Sequence, residues 1–261
     1  MRYCDGTRSG FPEQYPNVKP QVADDRPRIG CAGWALRRDF AEEFPGAGTH
    51  LRRYAARFSA VEINSSFYRP HRRSTYERWA ASVPDDFRFA VKVPKEATHT
   101  KRLTGCAEVL DRFLNECAGL GAKLGPLLVQ LPPSLKFSAE VAEAFFAELR
   151  ERHTGDVACE PRHATWFEAD ADALFAEHRV ARVAADPAVV PAAARPGGWP
   201  GFAYLRLHGS PRMYYSAYSD DTLVSLAAEF AEGRGRWCIL DNTAEGAATR
   251  NALDLLKMVG R

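Results

Sequence analysis

Short hydrophobic runs alternate with amphipathic segments from Arg28 to the C-terminus of the chain. Apolar runs of about four to eight residues are typical of buried strands. Their alternation with helical patterns indicates βα units that build a parallel sheet. The pattern predicts eight strands, in residues 28–33, 60–64, 87–93, 126–131, 156–160, 180–186, 202–209 and 236–241.

The segments between the runs show the 3.6-residue period of amphipathic helices. Ser74 and Glu77 have the spacing of a capping box, which predicts the start of a short helix before Trp79. Segment 187–201 contains four prolines and three glycines, so no regular helix is expected there. Apolar side chains share one predicted helical face in each of four sets: Val109, Phe113, Cys117 and Leu120; Val141, Phe145 and Leu149; Leu223, Ala227 and Phe230; Ala248, Ala252, Leu255 and Val259.

Eight strands with mostly helical crossovers predict an α/β fold. We expect a single (β/α)8 TIM-barrel-like domain over residues 28–261, with an irregular connection after strand six. The length of 261 residues agrees with this, because such barrels typically have about 250. The alternative is an open doubly wound sheet. Such a sheet more often has a Gly-rich phosphate loop after its first strand, and the sequence IGCAGW lacks that pattern.

The N-terminal segment, the cysteines and the lengths of the apolar stretches indicate which class of protein to expect. Residues 1–27 contain four prolines and no hydrophobic period, and they predict a flexible N-terminal extension. The six cysteines form no C-x-x-C pair, so we expect buried reduced thiols. The chain lacks a signal-peptide core and any apolar stretch of about 18 residues, so a cytoplasmic protein without a membrane partner is expected.

The formal net charge of +2 conceals an asymmetry along the chain. Residues 28–102 carry 15 Lys and Arg against 8 Asp and Glu. Residues 103–261 carry 16 against 21. This separation predicts that one side of the protein favours anions.

Polar side chains close most of the predicted strands. Active sites of barrels lie at the C-terminal ends of the strands, and alternation at period two predicts which side chains point inward. The inward-pointing polar side chains would form a ring at that end of the barrel. Buried ionised groups are costly unless they pair or bind a ligand, so this ring is a candidate site. The alternative is an internal salt-bridge network, for example Glu62 or Asp186 with Arg206, and Glu160 with Lys92. The ring comprises Glu62, Asn64, Lys92, Gln130, Glu160, Asp186, Arg206, His208 and one of Asp241 and Asn242.

The loops after the second and third strands add a basic rim that contains aromatic side chains. Segment 67–73 and the residues Lys95, His99, Lys101 and Arg102 supply it. Positive charge with stacking surfaces suits a phosphorylated or polyanionic ligand. The alternative is a solvated surface in a chain with 28 Arg and 7 Lys. The predicted substrate-binding residues are Asn64, Tyr68, Arg69, His99, Gln130, His163, Tyr214, Tyr218 and Asn242.

The same residues carry a resemblance to a known family. The motifs follow one another in the family's order from about Arg28 to the C-terminus: GCAGW, VEINSSFYRP, FAVKVPKEATHTKRL, LGPLLVQLPP, ACEPRHATW, YLRLHG and LDNTAEGAATRNALDL. The chain resembles the YecE-like family, domain of unknown function 72. The resemblance implies a TIM-barrel-like fold, whereas the activity of that family is not settled.

Three functional hypotheses follow. In the first, an enzyme holds Mn²⁺, Mg²⁺ or Zn²⁺. The ligands would be the Glu, Asp, His and Asp side chains that close strands five to eight, and this order is similar to the metal-binding arrangement of xylose-isomerase-like barrels. Glu62 or Glu160 could serve as a general base, and Lys92 or Arg206 would stabilise negative charge. The same two cations could instead neutralise the carboxylates without a metal. The predicted ligands are Glu160, Asp186, His208 and Asp241, which close strands five to eight.

The second hypothesis is a metal-free hydrolase of a phosphate ester or glycosidic bond, with Glu62 and Glu160 as a carboxylate pair and His208 or His163 as proton carrier. The third is a nucleic-acid-binding module without catalysis, in which the ring is only structural. The preferred interpretation is a hydrolase- or isomerase-type enzyme that acts on an anionic substrate, either phosphorylated or derived from nucleic acid, with or without a metal. Its predicted catalytic residues are Glu62, Lys92, Glu160, Arg206 and His208.

Overall fold

The computed structural model describes residues 27–231 and 236–260. The predicted extension 1–27 lies outside these residues except for Pro27. Ten strands occur in the described part: β1 (Arg28–Cys31), β2 (Ala60–Ile63), β3 (Arg88–Lys92), β4 (Leu124–Gln130), β5 (Val157–Glu160), β6 (Val180–Arg182), β7 (Ala184–Asp186), β8 (Gly197–Gly198), β9 (Ala203–Leu207) and β10 (Arg236–Leu240).

Eight α-helices occur in the same residues: α1 (His50–Ala55), α2 (Ser65–Tyr68), α3 (Arg73–Ala81), α4 (Ala107–Cys117), α5 (Ala139–Arg152), α6 (Ala169–Glu177), α7 (Asp220–Ala231) and α8 (Ala247–Met258). A π-helix spans Glu96–Thr100, and 3₁₀ helices span Arg38–Phe40, Ala118–Lys123, Ala164–Phe167 and Pro191–Ala194. None of the helices in the described part is long and apolar enough to cross a membrane.

The strands form two parallel-dominated sheets, which confirms the α/β class. One has the order β1-β10-β9-β7 and the other the order β2-β3-β4-β5-β6-β8. All neighbouring pairs are parallel except β6 and β8. The described ladders do not join into one closed ring. An isolated bridge between Ala32 and Glu62 links the ends of β1 and β2.

The predicted sixth strand, residues 180–186, is two strands in different sheets. β6 pairs with β5, and β7 pairs with β9, with only Val183 between them. One strand over this run was therefore a wrong prediction. The irregular connection after it is confirmed, because Pro191–Ala194 forms a 3₁₀ turn and β8 is a two-residue strand.

The predicted capping box is wrong. Helix α3 begins at Arg73, and its N-cap is Arg72, which makes no side-chain cap hydrogen bond. Ser74 therefore lies inside the first turn, where its hydroxyl cannot serve as the cap. Glu77 instead accepts a hydrogen bond from Arg73 Nε at 3.2 Å.

The buried side chains divide into two sets by strand parity. Val61 and Ile63 belong to the large cluster that also includes side chains of the helices. Ala60 and Ala90 belong to a smaller cluster with Tyr204. The described cysteines are all free and buried, as predicted, and burial raises the pKa of Cys31 to about 12.

Strand β1 lies close to β2 at Gly30. A Cβ atom added to Gly30 would overlap the carbonyl oxygen of Ala60 and would also meet the hydroxyl of Tyr54 at 3.0 Å. Both obstacles belong to fully buried parts of the structure. Only glycine therefore allows the two strands to lie this close.

We expect Gly30→Ala to lower the free energy of unfolding by about 3 kcal/mol, because the backbone of β2 must shift to accept the methyl group. Chemical denaturation measures this. The control is Gly105→Ala, where an added Cβ meets nothing within 4 Å but φ is +62°; it should cost about 1 kcal/mol. Equal losses in the two variants would contradict the close approach.

Candidate active site

Arg206, on β9, lies at the centre of a buried charge network. Its guanidinium donates to Glu62 through Nε at 3.0 Å and through Nη2 at 2.7 Å. Nη1 donates to Glu160 at 2.7 Å, and Nη2 also donates to Asp241 at 3.1 Å. One fully buried cation therefore serves three carboxylates.

His208 lies between two of these carboxylates and is also fully buried. Its Nδ1 is 3.0 Å from Asp241 Oδ2, which can only accept, so Nδ1 donates. Its Nε2 is 2.8 Å from Glu160 Oε1 and 2.9 Å from Arg162 Nη2. The ring can therefore donate to Glu160 when it is protonated and accept from Arg162 when it is neutral.

Further polar groups complete the inner network. Arg162 forms an ion pair with Glu160 at 2.6 Å. Gln130 Nε2 donates to Glu160 Oε2 at 3.0 Å, and the Tyr204 hydroxyl donates to Glu62 Oε2 at 2.8 Å. Arg162 was missed by the sequence analysis. Continuing the strand parity two residues beyond Glu160 would have included it.

The network favours the ionised forms of Glu160 and Asp241. Burial alone raises the pKa of Glu160, but the charges of Arg206, His208 and Arg162 hold it well below its ordinary value. Burial opposes ionisation of Asp241 as well, and Arg206 and His208 lower its pKa. A carboxyl group that acts as a general acid needs a raised pKa. Of the predicted pair Glu62 and Glu160, Glu160 therefore does not suit the acid role.

Lys92 is the buried cation that has no anionic partner in the described part of the chain. Its Nζ lies 4.2 Å from the centroid of the Phe67 ring, and no hydrogen bond or ion pair holds it there. Burial and the charge of Arg206 lower the pKa of Lys92 to about 8, against the opposing effects of Glu62, Glu160 and Asp241. The predicted pair of Lys92 with Glu160 does not form.

Two other buried polar atoms beside these groups lack partners among the described residues. They are Oδ1 of Asn64 and Nε of Arg162. Asn64 follows Ile63, which pairs with Val91, so Asn64 and Lys92 stand side by side at the ends of β2 and β3. Buried polar atoms without a partner are rare in native proteins and require an explanation.

The predicted rim lies at the loops after β2 and β3. Tyr68 is 77% exposed, and it lines a cavity of about 240 Å³ together with Arg69 and Lys95. His99 packs edge-on against Phe67, the same ring that faces Lys92, and its Nδ1 is 2.9 Å from Thr98 Oγ1. Burial, Lys92 and Lys95 lower the pKa of His99.

Tyr214 lies beside His208, with the ring centroids 5.7 Å apart. It is 42% exposed and has a φ of +70°, a conformation that is unusual for a bulky residue and costs free energy. His163, in contrast, uses Nδ1 to accept from Thr165 N and thereby caps the 3₁₀ helix Ala164–Phe167.

Tyr218 and Asn242 lie away from the carboxylates that bind Arg206. Gly209 N donates to the Tyr218 hydroxyl at 2.8 Å, and that hydroxyl donates to Asp186 Oδ2 at 2.7 Å. Asn242 Nδ2 donates to Ser216 O at 2.9 Å and to Asn251 Oδ1 at 3.0 Å. These contacts hold the segment after β9 against α8.

The four predicted metal ligands do not converge. Glu160, His208 and Asp241 lie together, but Arg206 donates to both carboxylates. Asp186 is bound by Tyr218 instead. Within residues 27–231 and 236–260, no group of three or more His, Cys, Asp and Glu side chains could hold a metal ion. The donor set therefore does not fit a divalent cation.

Comparisons with known proteins agree with the sequence motifs. The family described as "Protein of unknown function DUF72" matches residues 28–261. UPF0759 protein YecE of Escherichia coli K12 is 33% identical over 84 residues, which are 32% of this chain and 31% of YecE. UPF0759 protein YunF of Bacillus subtilis is 26% identical over 147 residues, 53% of this chain and 51% of YunF. The matches thus span a third to a half of these relatives.

Solved structures of the same family share the fold. A DUF72 family protein from Thermotoga maritima superposes with a TM-score of 0.74 and 25% identity, covering 90% of this chain and 99% of that one. A DUF72 family protein from Enterococcus faecalis gives a TM-score of 0.72 with 21% identity, covering 92% and 100% of the two chains.

We expect Glu62→Gln to lower the free energy of unfolding by about 3–5 kcal/mol, because it removes one of the three carboxylates that bind Arg206, leaves the buried network with excess positive charge and turns an amide donor toward the guanidinium. Urea denaturation measures the loss. The control is Glu77→Gln, which removes a surface ion pair with Arg73 and should cost less than about 1 kcal/mol. A loss for Glu62→Gln as small as that of the control would show that the network is not structural.

Proposed function

The chain belongs to the DUF72 family over residues 28–261, and we propose that it is an enzyme acting on an anionic substrate, either phosphorylated or derived from nucleic acid. Lys92 is the proposed proton-transfer group. The observation that carries this proposal is a buried ammonium group without an anionic partner in the described part of the chain. Burying a charge in this way is costly and adds nothing to the fold, so a ligand is the simplest explanation.

The distribution of charge in the network supports an anionic substrate. The three carboxylates bind Arg206, and Glu160 also binds Arg162. None of these carboxylates forms an ion pair with Lys92, whose ammonium group contacts the ring of Phe67 instead. An anion bound beside Lys92 would supply the partner that the described residues do not provide.

The proposed roles differ between the groups that would contact substrate and the fully buried groups that hold them in place. Lys92, with a pKa of about 8, can accept a proton near neutral pH, where a general base is most effective. Arg162 and Asn64 have buried unpartnered atoms that could bind substrate. The fully buried groups Glu62, Glu160, Arg206 and His208 are positioning residues that hold Arg162 and set the charge around Lys92.

A barrel-like closure of the two sheets is part of the proposal. The bridge between Ala32 and Glu62 connects β1 with β2. At the other side, the chain passes from β6 to β7 through Val183 alone. Both junctions would bring the C-terminal ends of the strands around one mouth. In a barrel this is the end where chemistry takes place.

Nucleic-acid binding without catalysis is the second candidate function. Tyr68 is 77% exposed beside Arg69, and Arg72 and Arg73 are also exposed. Exposed aromatic rings next to cations suit a single strand, whose bases stack while its phosphates bind the charges. Such binding would occupy the rim and would not require Lys92.

The proposed role of Lys92 is tested by labelling with pyridoxal 5′-phosphate, a phosphorylated aldehyde. The neutral amine attacks the aldehyde carbon with loss of water, and borohydride reduces the imine to a stable secondary amine. We expect Lys92 to react faster at pH 7.5 than Lys95 or Lys257, because burial lowers the pKa of Lys92 to about 8 and leaves more of its amine neutral. Peptide mass spectrometry measures the rate at each lysine.

The labelling has three controls. Pyridoxal, which lacks the phosphate, should label Lys92 about tenfold more slowly, and Arg162→Gln should slow labelling by the phosphorylated probe. Lys95→Gln should leave the rate at Lys92 unchanged. Equal labelling of all exposed lysines without Lys92 would reject the proposal. Protection of Lys92 by a single-stranded oligonucleotide but not by inorganic phosphate would favour a nucleic-acid substrate.

The buried charge of Lys92 also makes stability depend on pH. Its folded-state pKa of about 8 lies below the ordinary 10.5. The cost of burial is therefore complete below pH 8 and disappears as the pH rises toward 10.5. We expect Lys92→Met to raise the free energy of unfolding by up to about 3 kcal/mol at pH 7 and by much less at pH 10. Urea denaturation at the two pH values checks this. A gain that is the same at both, or that Lys95→Met reproduces, would contradict it.

A further inference from the structure

A second cavity, of about 340 Å³, lies between the loops that follow β3, β4 and β5. Its apolar lining includes the buried side chains Leu103, Leu135 and Trp166. Trp166 Nε1 donates a hydrogen bond to Leu135 O at 2.9 Å, which joins two walls of the cavity. None of the residues that line the cavity belongs to the Arg206 network. The volume suits a small molecule, because ligand pockets typically measure about 300–1,000 Å³.

The edge of this cavity carries positive charge only. Lys101, Arg102 and Lys136 line it, and no carboxylate does. The side chains of Lys101 and Lys136 form no ion pair within the described part of the chain. Arg102 donates to Ser134 Oγ at 3.1 Å and to Ser134 O at 2.9 Å, which joins two of the loops that form the walls. Cations gathered without counter-charges at a cavity mark an anion-binding surface.

The backbone around the cavity supports the same conclusion. Arg102 and Leu103 are consecutive residues with strained backbone conformations, at φ values of +50° and +70°. Both residues line the cavity. Ser138, another lining residue, is the N-cap of the 14-residue helix α5, and its side chain caps no backbone amide. A helix N-terminus adds positive potential and amide donors to the cationic edge. Glu140 in the first turn is exposed and does not line the cavity.

We propose that this cavity binds a small phosphate ester that carries an apolar or aromatic group. The phosphate meets Lys101, Lys136 and the start of α5, and the apolar group lies against Leu103, Leu135 and Trp166. An inorganic anion would leave the apolar walls without contact, and a neutral apolar molecule would leave the cations unpaired. This site is separate from Lys92 and does not depend on the chemistry proposed there.

The test is calorimetric titration of the full chain with 1-naphthyl phosphate at low ionic strength. We expect it to bind at least about tenfold more tightly than inorganic phosphate or 1-naphthol, because only it uses both halves of the cavity. The double variant Lys101→Gln and Lys136→Gln should weaken binding by about tenfold. The control double variant, Arg78→Gln and Lys257→Gln, removes the same charge from α3 and α8 and should leave Kd within about twofold.

Four results would overturn the proposal. The first is an absence of binding at low salt, and the second is an equal loss in the two double variants. The third is loss of binding in Lys92→Gln, which would place the probe at the other site. The fourth is tighter binding of a single-stranded oligonucleotide that depends on Lys101 and Lys136, which would identify a nucleic-acid strand as the ligand. An unchanged Tm in the two double variants, and a Tm no lower than that of the unaltered protein in Lys92→Gln, establish that the fold is intact.

Discussion

The burial of Arg206 is the constraint on which the rest of the structure depends. Its guanidinium binds Glu62 and Glu160 on strands of the six-stranded sheet. Arg206 itself lies on β9 of the four-stranded sheet, and its third partner, Asp241, directly follows β10 of that sheet. Removing these charges from water costs several kcal/mol per ion unless every partner is in place. The two sheets therefore cannot slide relative to each other without breaking the network. Specific orientation of the sheets follows from electrostatics as well as from apolar packing.

Space for this network comes from small side chains on the same inner face. Alanines at positions 60, 90, 158 and 181 share a cluster with Tyr204 and Trp237, whose rings stack with centroids 5.9 Å apart. Larger residues at the alanine positions would compete with these rings and with the guanidinium above them. The hydroxyl of Tyr204 then links the apolar layer to the charged one through Glu62. The inner core thus consists of an apolar layer and a charged layer, and the hydrogen bond from Tyr204 to Glu62 connects them.

Sequence periodicity was sufficient for the class of fold, because apolar runs and helical stripes arise from local burial. It also brought together Glu62, Glu160, Arg206 and His208, since parity alone determines the face on which a strand residue lies. It could not divide residues 180–186 between two sheets, because this depends on which neighbours the strand meets. Nor could it assign Asp186 to Tyr218, a contact made through a loop after β9. Which partner each carboxylate binds depends on distances between side chains, and the periodicity of the sequence does not give those distances.

Charged groups that the fold pairs and charged groups that it leaves without a partner have different meanings for function. A residue that stabilises the fold should have its charge satisfied by the fold, as Glu62 does with Arg206 and Tyr204. Lys92 does not meet this condition: its burial costs free energy, and its nearest aromatic contact, Phe67, offsets only part of that cost. Destabilising groups persist at sites where activity requires them. The ammonium of Lys92, which no carboxylate of the described residues binds, is therefore the feature on which the proposed active site rests.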